Sequence, residues 1–132
     1  MNLTNVLCVF LGSGLGGVCR YLVGRSLQSL APGALFTWGT FAVNIGGCFL
    51  IGLFYGLFDR GTLLSPQLRM LLTVGFCGGF TTFSTFINEN YLLFGASGPE
   101  QQTAHLALLA LYVASSVLLG FAALYAGHWL AR

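Results

Sequence analysis

The chain has 132 residues, of which 56% are hydrophobic and 6% charged, with a mean hydropathy of +0.84. That is too little charge to clothe a soluble domain of this size, so the composition points to an integral membrane protein. A formal net charge of +2 with no basic cluster leaves no footprint for nucleic acid.

The five basic residues, all Arg, the three acids Asp59, Glu89 and Glu100, and the Gly/Pro-rich breaks divide the sequence into four apolar runs, at about 6–23, 36–58, 70–88 and 106–129. Each is long enough to cross a bilayer core of about 30 Å as a helix. The expected fold is therefore all-α, a single membrane domain (1–132) with four transmembrane helices in the lipid bilayer. The N-terminus, MNLTNVLCVF, has neither a basic n-region nor a small-residue cleavage site, and the first run is expected to remain as a span.

Span one carries Gly12, Gly14, Gly16 and Gly17. Little hydrophobic force drives helices together in lipid, so small residues four apart, such as Gly12 and Gly16, mark faces of close packing. The same glycines spell G-x-G-x-x-G, but no strand precedes them and no acid follows about 20 residues on, so a dinucleotide turn is excluded. Arg20, Tyr21 and Arg25 end the span; Arg20 either snorkels to the interface or attracts anions at a pore mouth. Cys8, Cys19, Cys48 and Cys77 all lie in apolar runs without metal-ligand spacing and read as packing residues.

On span two, Thr37, Thr40 and Asn44 share one helical face, and Asn44 falls inside the apolar run, where its amide must find partners. After the polar loop 59–66, Pro66 suits a helix start. Span three carries the stretch that organises the chain, GFCGGFTTFSTFIN from Gly75 to Asn88. Gly78-Gly79, near its middle, is expected to break the helix. Unwound backbone at membrane depth is tolerated only where it is buried in protein or lines a polar cavity. Thr81, Ser84, Thr85 and Asn88 then form a polar stripe beside Phe83 and Phe86, with Glu89 one turn past Thr85. A long loop, 90–102, leads to span four, where Tyr112 and Ser116 share a face and His105 and His128 sit near the ends.

Arginines on the side of the N-terminus (Arg60, Arg69, Arg132) barely outnumber those opposite (Arg20, Arg25), so orientation is weakly set. Two oppositely inserted copies could pair. No internal repeat stands out, so a pathway forms more readily between copies than within one. No nucleophile and base stand at a sensible spacing, and an enzyme is not expected. What remains is a set of hydroxyl and amide donors with phenylalanine rings, whose electropositive edges suit a small anion. Weak neutral ligands suit rapid passage.

Three blocks carry a resemblance: Gly12 to Gly17 with Arg20-Tyr21, Gly39-Thr40-Phe41-Ala42-Val43-Asn44-Ile45-Gly46-Gly47-Cys48-Phe49, and Gly75 to Phe86. In this order they resemble the small four-span bacterial fluoride channels, the Fluc or CrcB family. The resemblance implies an antiparallel, dual-topology homodimer in the bacterial inner membrane, with two pathways that export fluoride passively. It implies that Phe83 and Phe86 face fluoride and that Asn44 is a donor along its path. Ser84 and Thr85 would belong to a polar track on span three, faced by Tyr112 and Ser116 from span four, with Glu89 as the acid near the pathway's end. Thr40 as a hydroxyl donor and Arg20 as a charge at the mouth join the candidate pathway on the reading of the residues alone. A structural Na+ would be held by the backbone carbonyls of Gly78 and Thr81. Rival readings are an ion-coupled fluoride exporter, against which stands the lack of titratable groups inside the spans, and a small structural or assembly subunit.

Overall fold

The computed structural model of the chain describes residues 2–61, 65–95 and 98–132. Helix α1 spans Leu3–Leu30, α2 Trp38–Asp59, α3 Pro66–Met70, α4 Gly78–Phe80, α5 Phe83–Gly95 and α6 Gln102–Ala131. A π-helical stretch, Leu71–Cys77, joins α3 to α4. Among the described residues, four helical runs are long and apolar enough to cross a membrane: α1, α2, the run Pro66–Gly95, and α6. The chain is a multi-pass membrane protein. Its helices extend several residues past the apolar runs at most ends, because helical backbone bonding continues into the interface where side chains turn polar.

Local chemistry sets the starts. Asn2 Oδ1 accepts from the Thr4 N–H at 3.1 Å and caps α1. Ser65 Oγ accepts from the Leu68 N–H at 3.2 Å, and Pro66, whose nitrogen carries no hydrogen, fills the first position of α3.

Glycines decide how the helices meet. Gly12 and Gly16 lie directly on the backbone of Leu71 and Phe76, and Gly79 lies on that of Ser13, so α1 and the third run touch main chain to main chain. The Ser13 hydroxyl donates to the Gly75 carbonyl at 3.4 Å. In the same way α2 and α6 share the most extensive packing in the chain, with Gly52 and Gly56 against Leu124 and His128, and Gly127 against Phe49. Such contact gains dispersion energy that bulkier side chains would forfeit. Large apolar side chains that do not meet another helix, among them Phe10, Leu15, Leu118 and Trp129, point outward. In lipid that outward face is the favourable one.

At one end of the bundle, Asp59 pairs with His128 at 3.8 Å and Arg60 Nη1 donates to the Ala131 carbonyl at 3.3 Å. The Arg69 guanidinium stands 5.1 Å from the ring centres of both Tyr55 and Phe58. His105, at the other end of α6, is buried with Nδ1 3.2 Å from the Leu93 carbonyl.

Two expectations are corrected. Gly78 and Gly79 do not break the third run; both are helical, and the interruption falls at Thr81-Thr82, where Thr81 is extended (φ −86°, ψ 161°). The glycines serve a different need, since a side chain at Gly79 would collide with α1. Thr81 accordingly leaves the polar stripe of Ser84, Thr85 and Asn88. The connection after span three is also shorter than expected, since α5 runs to Gly95 and α6 starts at Gln102.

Candidate functional site

The site is built around the interruption at Thr81-Thr82. Two side chains from other helices hold it. Asn44, on α2, donates from Nδ2 to the Thr82 carbonyl at 3.1 Å and accepts the Thr82 N–H on Oδ1 at 2.8 Å. Arg20, on α1, donates from Nη1 to the Thr81 carbonyl at 3.3 Å. Thr82 in turn caps α5: its Oγ1 accepts the Thr85 N–H at 3.3 Å and donates to Thr85 Oγ1 at 2.9 Å. Short hydroxyl and amide side chains compete with the helical ladder for backbone partners, and here they win twice.

The exchange has a consequence for two carbonyls. In a continuous helix the Thr82 N–H would close on the Gly78 oxygen and the Thr85 N–H on the Thr81 oxygen. Both donors are taken elsewhere, by Asn44 and by the Thr82 hydroxyl. Gly78 and Thr81 therefore present carbonyl oxygens outside the ladder, Thr81's with Arg20 on it.

A second cluster joins α2, α5 and α6. The Thr40 hydroxyl donates to Glu89 Oε1 at 2.6 Å and the Tyr112 hydroxyl to Glu89 Oε2 at 3.1 Å, so both carboxylate oxygens accept. Hydrogen bonds to an ionised carboxylate are the stronger kind, and burial strengthens them further. Tyr112 is only 2% exposed, wedged edge-on between Phe36 and Phe86 with ring centres 4.8 and 4.9 Å away. One turn along α6, Ser116 Oγ is buried with no hydrogen-bond partner, while neighbouring Ser115 takes the Tyr112 carbonyl at 3.2 Å.

Cavities flank both clusters. One of about 350 Å³ lies beside the interruption, lined by Asn44, Cys48, Cys77, Thr81, Thr82 and Phe83 among others. Another of about 300 Å³ is bounded by Arg20, Arg25, Gln28, Thr37, Thr40 and Glu89. It sets two guanidinium-bearing residues before the Thr40–Glu89 pair.

Of the residues singled out by sequence, Thr40, Glu89, Tyr112 and Phe86 come together, with Ser116 one turn away. Phe83 and Phe86 are 6.2 Å apart between ring centres, yet they part company in exposure: Phe86 is 8% exposed and Phe83 75%. Ser84 and Thr85 are also exposed. Asn44 and Arg20 contact the interruption rather than standing free in a passage. Sequence reasoning passed over Thr82, which anchors Asn44 and caps α5; its one legible signal was the Thr-Thr pair ahead of a hydrophobic helix start.

The arrangement joins broken backbone, weak neutral donors and one half-buried carboxylate, Glu89, inside a lipid-facing bundle. A sequence model of the CrcB-like protein family, described as camphor resistance (CrcB), matches residues 7–128. A protein from Bacteroides fragilis named fluoride-specific ion channel FluC is 44% identical over 127 residues, covering 95% of this chain and 94% of its own. Proteins of the same name from Phocaeicola vulgatus (43% over 129 residues, 97% and 98% covered) and Chlorobaculum tepidum (44% over 132 residues, 100% and 98% covered) are similarly related. The name they share is that of a channel and not of an enzyme. By a family match over nearly its whole length and relatives this similar across it, the chain belongs to the CrcB family.

Proposed function

We propose that this protein is a passive, fluoride-selective channel that works as an antiparallel homodimer and lets fluoride leave the cytoplasm along two pathways. The observation that carries the reading is the buried, unpartnered hydroxyl of Ser116, one turn from Tyr112 on α6. An unsatisfied buried hydroxyl costs about 1–3 kcal/mol, so a donor kept in that state is one reserved for an acceptor that comes and goes. A small anion is such an acceptor, and the relatives carry the name of a fluoride channel.

In this reading the anion is drawn toward Arg20 and Arg25 at the mouth and sheds water against neutral donors. Glu89 holds Thr40 and Tyr112 in place and, by its charge, keeps any anion from settling. Phe86 lines the passage, and ring edges coordinate weakly. Phe83, three-quarters exposed beside the interruption, is available to the passage of a second copy, as are the outward Ser84 and Thr85. One chain supplies half of what the reading needs.

The freed carbonyls of Gly78 and Thr81 fit a structural Na+, since hard cations take oxygen ligands. Two oxygens from each of two copies would hold it, and the ion, once bound, would supply positive charge against those carbonyl oxygens. Arg20, already on the Thr81 oxygen, limits how much further charge that carbonyl can take.

The test is efflux from liposomes. Purified protein in vesicles loaded with potassium fluoride should release fluoride on addition of valinomycin, while chloride-loaded vesicles release none. Release driven by a proton or sodium gradient in place of the potential would show a coupled exporter. A folded protein that passes no ion would show a structural subunit.

A further inference from the structure

Two arginines stand at the end of the bundle where α2 and α6 finish and the third run starts, and their surroundings differ. Arg60 donates to the Ala131 carbonyl. Arg69 is held in place by rings alone: its guanidinium carbon is 5.1 Å from the ring centres of both Tyr55 and Phe58, whose planes cross at 89° and form a corner around it. Ring faces attract the charge but give its N–H groups no oxygen to bind. Among the described residues no carboxylate pairs with Arg69, and no oxygen accepts from its side chain. The one acid at this end, Asp59, is turned to α6 and pairs with His128 at 3.8 Å. Glu89 bonds Tyr112 far down α6, and Glu100 precedes that helix at its opposite end. Arg69 is thus fixed, exposed and unneutralised.

Its depth says what meets it. Tyr55 lies in the last turn of α2 and Arg69 in the first helix of the third run, where spans of this length leave the hydrocarbon and enter the headgroup layer. We propose that Arg69, held by Tyr55 and Phe58, binds the headgroup phosphate of an anionic phospholipid. A guanidinium offers its donors as a planar fork that matches two phosphate oxygens, and the charge assists both bonds. The rings have already ordered the side chain, so less freedom is lost when the lipid arrives. Charge selects the headgroup: Arg60, Arg69 and Arg132 face one acid at this end, which favours a lipid of net negative charge over one whose phosphate carries its own ammonium.

Native mass spectrometry of the purified full chain in detergent, titrated with phosphatidylglycerol or with phosphatidylcholine of the same acyl chains, tests the assignment. Wild-type protein should bind phosphatidylglycerol the more tightly. Arg69→Gln should weaken that binding about fivefold, the share of one arginine at an anionic surface, and leave phosphatidylcholine unchanged. Tyr55→Leu keeps the charge but removes one wall of the corner, and should weaken phosphatidylglycerol about two- to fivefold. Should Arg69→Gln not fold, Tyr55→Leu decides alone. Arg132→Gln removes an exposed arginine that no ring holds, and should cost less than Arg69→Gln. Wild-type affinity in Arg69→Gln, or an equal loss in Arg132→Gln, would overturn the proposal, the second because overall charge would then be what draws the lipid. Displacement of phosphatidylglycerol by millimolar inorganic phosphate would give the guanidinium to a free anion instead. Copies that separate more readily in lipid-free Arg69→Gln than in wild type would place a second chain on Arg69, and would equally overturn it.

Discussion

The side-chain amide of Asn44 closes on both backbone groups of Thr82, accepting its N–H at 2.8 Å and donating to its carbonyl at 3.1 Å. One residue of α2 thereby satisfies two backbone groups, from successive peptide units, that the broken third span would otherwise leave bare in the membrane. Asn44→Leu should destabilise the folded protein by about 1–3 kcal/mol for each orphaned group, read as a lower unfolding temperature in detergent. Asn44→Asp should also fail, because a carboxylate cannot donate to the Thr82 carbonyl. Retention of wild-type stability by either variant would show that the interruption does not depend on Asn44.

Thr40, Tyr112 and Glu89 act as a unit. Glu89→Gln replaces one acceptor oxygen with a donor, and Thr40→Val removes one hydroxyl. Each alone should cost about 1.5–3 kcal/mol, the range for hydrogen bonds to a charged group. The double variant should cost clearly less than the sum, as residues that share a bond are coupled. Additive losses in a thermal double-mutant cycle would contradict the pairing.

The glycine contacts predict a contrast within two neighbouring helices. Gly79→Ala drives a methyl group into the Ser13 backbone and should destabilise by about 1–3 kcal/mol through overpacking. Gly14 has nothing within 4 Å of where a Cβ would stand, so Gly14→Ala should be neutral or stabilise by about 0.5–1 kcal/mol, the usual preference for Ala in a helix. Melting curves of the two variants side by side decide it.

How much was legible beforehand follows from which interactions are local. The four spans come from apolar runs, and the packing role of Gly12 and Gly16 from their spacing, both visible in the chain itself. The break was legible as an event but not as a position. Gly78-Gly79 offered the lower intrinsic helix propensity, yet Thr81-Thr82 unwinds because Asn44 and Arg20, distant in sequence, bind the freed groups. No local rule carries that information. Glu89 and Tyr112 could be named, but their shared bond depends on how α5 meets α6. The short connection after α5 was missed because Asn90 reads as a loop residue; its Nδ2 instead donates to the Phe86 carbonyl at 2.7 Å and stays inside the helix.

Arg69 gives a prediction of small size. Its guanidinium lies over the Tyr55 and Phe58 rings at an exposed end of the bundle, where such contacts contribute about 0.5–1 kcal/mol. Arg69→Gln should lower the unfolding temperature slightly and leave fluoride efflux at the wild-type rate. A large loss of efflux would give this end of the molecule a part in conduction.

The most direct test of the central claim is the reversal potential of current through the purified protein in a planar bilayer with unequal fluoride on the two sides. The account predicts that current reverses at the fluoride equilibrium potential and stays there when pH or sodium is made unequal, and that Ser116→Ala reduces the current without moving the reversal. A reversal that shifts with the proton or sodium gradient, or follows chloride, would contradict it.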